Sequence, residues 1–133
     1  MESTSPFVWI VNALDPAEYP NGPPELATES LTEAWSVVAA AARISLDQLA
    51  KRLAERYECY GAASTLEQAK DVSGLTTPEY ARRHLALPIR VEGDYLLVAM
   101  ANAVDVQTAK ELEFISSRRT RIVVTPPSVI AVA

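Results

Sequence analysis

Between Thr77 and Val124 helix punctuation alternates with strand patterning, and few folds accommodate that order. Thr77-Pro78-Glu79 is a helix start: a capping hydroxyl, a proline whose missing N–H costs nothing at the first helical position, and an acid facing the helix dipole. Pro88 is predicted to limit that helix. Ile89-Arg90-Val91 then alternates apolar with polar, Gly93-Asp94 supplies turn chemistry, and Tyr95 to Met100 returns as an apolar strand, which predicts a β-hairpin. Asn102 or Asp105 can cap a helix running to about Ser116, with Val106, Ala109, Leu112 and Ile115 expected to face inward. Arg121 to Val124 reads as a further strand. Thr125-Pro126-Pro127-Ser128 opens one more helix barely two turns before Ala133, expected to be either vestigial or the start of a helix in a longer polypeptide. The prediction is an α/β (α+β) domain whose small three- to four-stranded sheet carries helices on one face.

Upstream, residues 25–60 read as a helical part, rich in Ala, Leu, Glu, Lys and Arg and without proline or glycine. The break between two helices is expected near Arg43 to Ser45, where Ser45 caps the second helix and Gln48 reaches back in a capping box. Leu46, Leu49 and Leu53 line one face of the second helix; Val37, Val38 and Ala41 give the first a face to pack on it. Gly61 to Gly74 reads as a short extended stretch plus loop. Residues 1–24 are predicted to form an apolar arm, Phe7 to Val11 with strand-like content, and a Pro-rich linker. The domain proper is then 25–133, with its α/β part at 75–133.

The net charge of −5 and pI near 4.9 speak against a nucleic-acid partner, whose phosphates need clustered Lys and Arg. The apolar run from Phe7 to Leu14 is far shorter than the ~20 residues of a membrane span, and no Lys or Arg precedes it as in a signal peptide. No direct membrane insertion and a cytoplasmic address are expected. The single cysteine, Cys59, excludes an intrachain disulfide.

Catalytic chemistry finds few materials. His84 is the only histidine and has no nucleophile or metal partner at a recognisable spacing. Cys59, between Tyr57 and Tyr60, reads as a half-buried apolar residue, and the paired carboxylates Glu111 and Glu113 as a solvated helix surface. Four glycines and no Gly-x-x-x-x-Gly-Lys-Ser/Thr run leave no phosphate-cradling loop. No catalytic residue, metal or cofactor is therefore expected. Arg82-Arg83 and Arg118-Arg119 with Arg121 are the basic clusters, the latter positioned to stabilise a helix C-terminus. Trp9 and Trp35 are candidate interface anchors, Trp35 equally a core residue.

The run Thr77-Pro78-Glu79-Tyr80-Ala81-Arg82-Arg83-His84, followed by Leu87-Pro88-Ile89-Arg90-Val91-Glu92-Gly93-Asp94-Tyr95-Leu96-Leu97-Val98-Ala99-Met100-Ala101-Asn102, Val104-Asp105-Val106 and Glu111-Leu112-Glu113-Phe114, resembles the N-terminal domain of the type II secretion and type IV pilus assembly ATPases. Arg43-Ile44-Ser45-Leu46-Asp47-Gln48-Leu49 is similar to a helix start of the same family. The likeness spans roughly the last two-thirds of the chain and omits the ATPase motor. It implies a non-catalytic docking and regulatory domain that binds the cytoplasmic part of an inner-membrane assembly platform protein, or a motor ATPase. The contact surface would be the helical hairpin from Glu33 to Arg56 with the N-terminal arm, using Trp9, Glu33, Trp35, Arg52 and Arg56.

Pilus-type relatives can bind cyclic di-GMP (c-di-GMP), through an arginine-leucine-glycine opening, an inner glycine and a terminal glutamine. On the alignment fixed by Ile44-Ser45 these fall on Glu33-Ala34-Trp35, Ala42 and Arg56, and all differ. Binding in the family mode is not expected. The alternative reading is a degenerate cyclic-dinucleotide sensor of another mode, and a third is a free-standing structural protein that reuses the fold.

Overall fold

The structure, a computed structural model, describes residues 6–131; residues 1–5 of the predicted arm and residues 132–133 lie outside them. The first described element is not the strand-like segment expected from Phe7 to Val11 but a one-turn helix, α1 (Val8–Val11). Tertiary packing overrides β-propensity here, because helical turns bring Ile10, Ala13 and Leu14 onto one core at i, i+3 and i+4.

The Pro-rich stretch is likewise fixed to the body. Asp15 and Glu18 form a capping box around a 3-10 turn at Pro16–Glu18, and the buried Tyr19 donates its hydroxyl to the Val11 carbonyl at 2.7 Å. The first long helix starts later than residue 25: α2 (Leu31–Ala42) is capped by Ser30, whose hydroxyl accepts from the Glu33 amide. It ends at Arg43 in the left-handed region, and α3 (Leu46–Arg56) opens with the Ser45–Gln48 capping box in both directions. Leu49 and Leu53 are fully buried, as are Trp35 and Val38 of α2.

Four strands follow: β1 (Gly61–Ala62), β2 (Ala86–Glu92), β3 (Tyr95–Met100) and β4 (Arg119–Val124). They form one mixed sheet in the order β1-β4-β3-β2, with β2–β3 antiparallel and the other two pairs parallel. Three α-helices and a 3-10 turn at Lys70–Val72 complete the described chain, the helices being α4 (Pro78–His84), α5 (Val106–Ser116) and α6 (Pro127–Ala131). Thr77 caps α4 as expected, but Leu85 in the left-handed region ends it, and Pro88 lies inside β2. A proline is tolerated there because β2 is a border strand and its register shifts between Pro88 and Arg90. That border is covered: Gln68 donates to the Pro88 carbonyl at 2.8 Å and the Ala69 amide to the Ile89 carbonyl at 2.8 Å.

The expectation of helices on one face is corrected. β3 alternates between two cores: Leu97 and Ala99 pack with α1, α2, α3 and Ile130 of α6, while Leu96, Val98 and Met100 pack with Val72 and Leu112 of α5. The cause is topological. Parallel strands β3 and β4 need a crossover, and α5 makes it on the face opposite the helical hairpin. A strand covered on both sides must be apolar throughout, which is why Tyr95 to Met100 does not alternate.

Candidate functional site

The five predicted contact residues divide between interior and surface. Trp35 is 0% exposed and donates its indole N–H to the Ala101 carbonyl at 3.1 Å, tying α2 to the end of β3. Trp9 is also buried, edge-on to Tyr57 with ring centroids 5.6 Å apart, and the Tyr57 hydroxyl donates to the Trp9 carbonyl at 2.5 Å. Its indole nitrogen has no hydrogen-bond partner among the described residues. Neither ring is presented to a partner. Glu33 is exposed in the first turn of α2 and accepts from the Thr28 hydroxyl at 3.1 Å.

Arg52 and Arg56 sit one turn apart on α3. Arg52 makes a two-pronged pair with Glu18, 2.5 and 2.7 Å, and Glu18 also accepts the Asp15 amide at 2.8 Å. The Arg52 hydrogen bond, then that amide, hold the Glu18 carboxyl below its ordinary pKa. Arg56 is exposed and lies 5.2 Å over the Tyr57 ring. Tyr57 thereby connects Trp9 to Arg56, so the end of α3 presents the Arg56 cation over two aromatic rings set edge to face.

Sequence reasoning did not single out Glu18 or Tyr57 for this surface, nor the aromatic and acidic partners gathered around Arg121. Arg121 lies 3.7 Å over Tyr95 and 5.0 Å over Tyr60, Tyr60 donates to Glu92 at 3.1 Å, and Arg90 pairs with Glu92 at 2.8 Å. Arg83 pairs with Glu79 on the same helix at 2.9 Å. The contacts of Arg121 and Tyr60 join residues far apart in sequence, and no spacing rule announces them; the Arg83–Glu79 pair, four apart on one helix, is of the kind that spacing does announce.

The expected inward face of α5 is corrected. Ala109 and Leu112 are buried together with Thr108, but Val106 is 61% and Ile115 46% exposed, and Phe114 is 88% exposed. One signal was readable: residues two apart on a helix point about 200° apart, so Leu112 and Phe114 cannot both face inward. Val106, Phe114 and Ile115 line a groove of about 870 Å³ with Tyr80 of α4, whose hydroxyl donates to Glu111 at 2.9 Å.

Groups capable of bond chemistry are dispersed. The His84 ring lies 4.2 Å from the Tyr80 ring and its Nδ1 is 3.4 Å from the Thr108 hydroxyl, which itself donates to Asp105 at 2.6 Å. Burial pushes the Cys59 thiol up, away from the reactive thiolate. Among the described residues no group of three or more His, Cys, Asp or Glu is placed to hold a metal ion, and no helix is long and apolar enough to cross a membrane.

Comparison with known proteins agrees with this architecture. No curated protein sequence matches the chain. Among solved structures, that of MshE with cdg superposes with a TM-score of 0.52 at 19% identity, covering 77% of this chain and 84% of that one. The N-terminal domain of XpsE gives 0.51 at 16% identity, covering 98% and 95%. At such identities the likeness concerns the fold. The sequence itself matches the MshEN domain over residues 60–133, more than half its length, from the edge strand β1 through the sheet to the end. The chain belongs to the MshEN domain family, the N-terminal domains of secretion ATPases, as its resemblance to them implied.

Proposed function

We propose that this chain is a non-catalytic docking and regulatory domain of a type II secretion or type IV pilus system, acting in the cytoplasm on the cytoplasmic part of a membrane assembly protein. Family membership supports the setting. The surface assigned to the partner is the exposed side of the α2–α3 hairpin: Glu33 at the start of α2, and Arg52 and Arg56 on α3, with Trp9 and Trp35 stiffening it from within. Charged rim residues of this kind govern encounter and register, while a rigid backing lowers the ordering cost of binding.

The observation that carries docking over nucleotide sensing is the burial of Ala34 and Trp35, both 0% exposed. On the alignment fixed by Ile44-Ser45 they fall, after Glu33, in the opening of the motif that cyclic-dinucleotide-binding relatives use, and the Trp35 indole already donates to the Ala101 carbonyl. The solved relative MshE, obtained with cdg, is the reason the nucleotide alternative is tested beside it.

Calorimetric titration of the chain with the cytoplasmic domain of its cognate assembly protein is expected to give binding that Glu33→Lys and Arg56→Glu each weaken about tenfold. Titration with cyclic di-GMP is expected to give no heat and no change in tryptophan fluorescence. Nucleotide binding without protein binding would reverse the assignment.

A further inference from the structure

We infer that the exposed face of α5 is a contact for a second copy of this chain, with the two α5 helices side by side and parallel about a two-fold axis. The face consists of Val106, Gln107, Lys110, Glu111, Phe114 and Ile115, all exposed. At 100° per residue it spans about half the helix. Gln107 and Phe114, seven residues apart, run down its middle; Lys110 and Val106 fall on one flank, Glu111 and Ile115 on the other.

The charges identify the occupant. In a parallel two-fold pair each left flank meets the other copy's right flank, so Lys110 meets the second copy's Glu111, and Glu111 meets its Lys110, while Phe114 packs on Phe114 at the axis. An antiparallel pair would set Lys110 beside Lys110 and Glu111 beside Glu111, and is disfavoured. Lys110 forms no ion pair with the chain's own carboxylates among the described residues, and neither does Glu111 with its cations. The Glu111 carboxylate is held on its flank by the Tyr80 hydroxyl at 2.9 Å. Such a face is complementary to itself. Phe114, at 88% exposure, supplies the apolar centre that a self-contact needs.

One helix per copy makes a small interface, so the dimer is weak, with a dissociation constant on the order of 100 µM. This inference is independent of the docking reading, because its test uses the chain alone. Sedimentation velocity over a concentration series is expected to show reversible dimerisation. Phe114→Glu, Lys110→Glu and Glu111→Lys should each weaken it about tenfold or more with unchanged circular dichroism, since all three side chains are exposed. The double variant Lys110→Glu with Glu111→Lys should restore it to within about threefold, because the exchanged charges still meet in opposite pairs. A chain that stays monomeric to millimolar concentration, as it would if another protein or a small apolar ligand used this face, overturns the inference. So does a double variant no better than the single ones.

Discussion

The Trp35 indole donates to the Ala101 carbonyl across 66 residues of sequence, joining the helical hairpin to the residue that follows β3 inside a fully buried core. Trp35→Phe keeps most of the packing and leaves that carbonyl unpaired, at an expected cost of about 1–3 kcal/mol. Trp35→Ala adds a cavity and is expected to cost about 3–5 kcal/mol. Urea denaturation checks both; a Phe variant as stable as the parent would remove the hydrogen bond from the account.

Ser45→Ala deletes one half of the Ser45–Gln48 capping box. The expected loss is about 1 kcal/mol, seen as a lower thermal midpoint, with increased hydrogen exchange confined to the first turn of α3.

Arg43 ends α2 at φ 58°, a conformation that a side chain with a Cβ resists. Its side chain is exposed, so Arg43→Gly removes strain without removing packing. After allowing for the greater freedom of glycine in the unfolded chain, the variant is expected to gain about 0.5–1 kcal/mol. Denaturant titration measures it directly.

Alkaline pH should unfold the domain through its tyrosines. Burial, then the nearby Glu18 charge, pushes Tyr19 up to about 12; burial, then its hydrogen bond to Glu111, does the same to Tyr80. The folded state therefore holds both protons more tightly than the unfolded chain. Their contribution is complete below the ordinary tyrosine range near pH 10 and is lost as pH rises toward 12. Tyrosinate absorbance and circular dichroism should change together in that interval, and Tyr19→Phe should flatten the dependence while weakening the fold by losing the bond to Val11.

Much of the frame was legible because it is local. Thr77, Ser45 and Asp105 cap helices as their side chains dictate, and Gly93, at φ 60°, turns the hairpin where Gly93-Asp94 predicted it. What escaped was set by distant packing. Phe7 to Val11 has strand-like composition yet coils into one turn because Ile10 has a core to enter. Pro88 reads as a helix stop yet sits in a strand, since Leu85 reverses the chain first. The candidate surface fared similarly: Trp35 was readable as either anchor or core residue, and what settles its burial, and that of Trp9, is packing against β3 and Tyr57, which spacing within a single helix does not reveal.

Two residues of β1 matter beyond their length. The Tyr60 amide donates to the Ile122 carbonyl and the Ala63 amide to the Val124 carbonyl, so the segment leaving α3 is laced along the inner strand β4. A load applied to the α3 end is thus borne in shear across the sheet instead of peeling the hairpin away. Because β4 runs on into α6, the end of α3 and the last helix are fastened to the same strand.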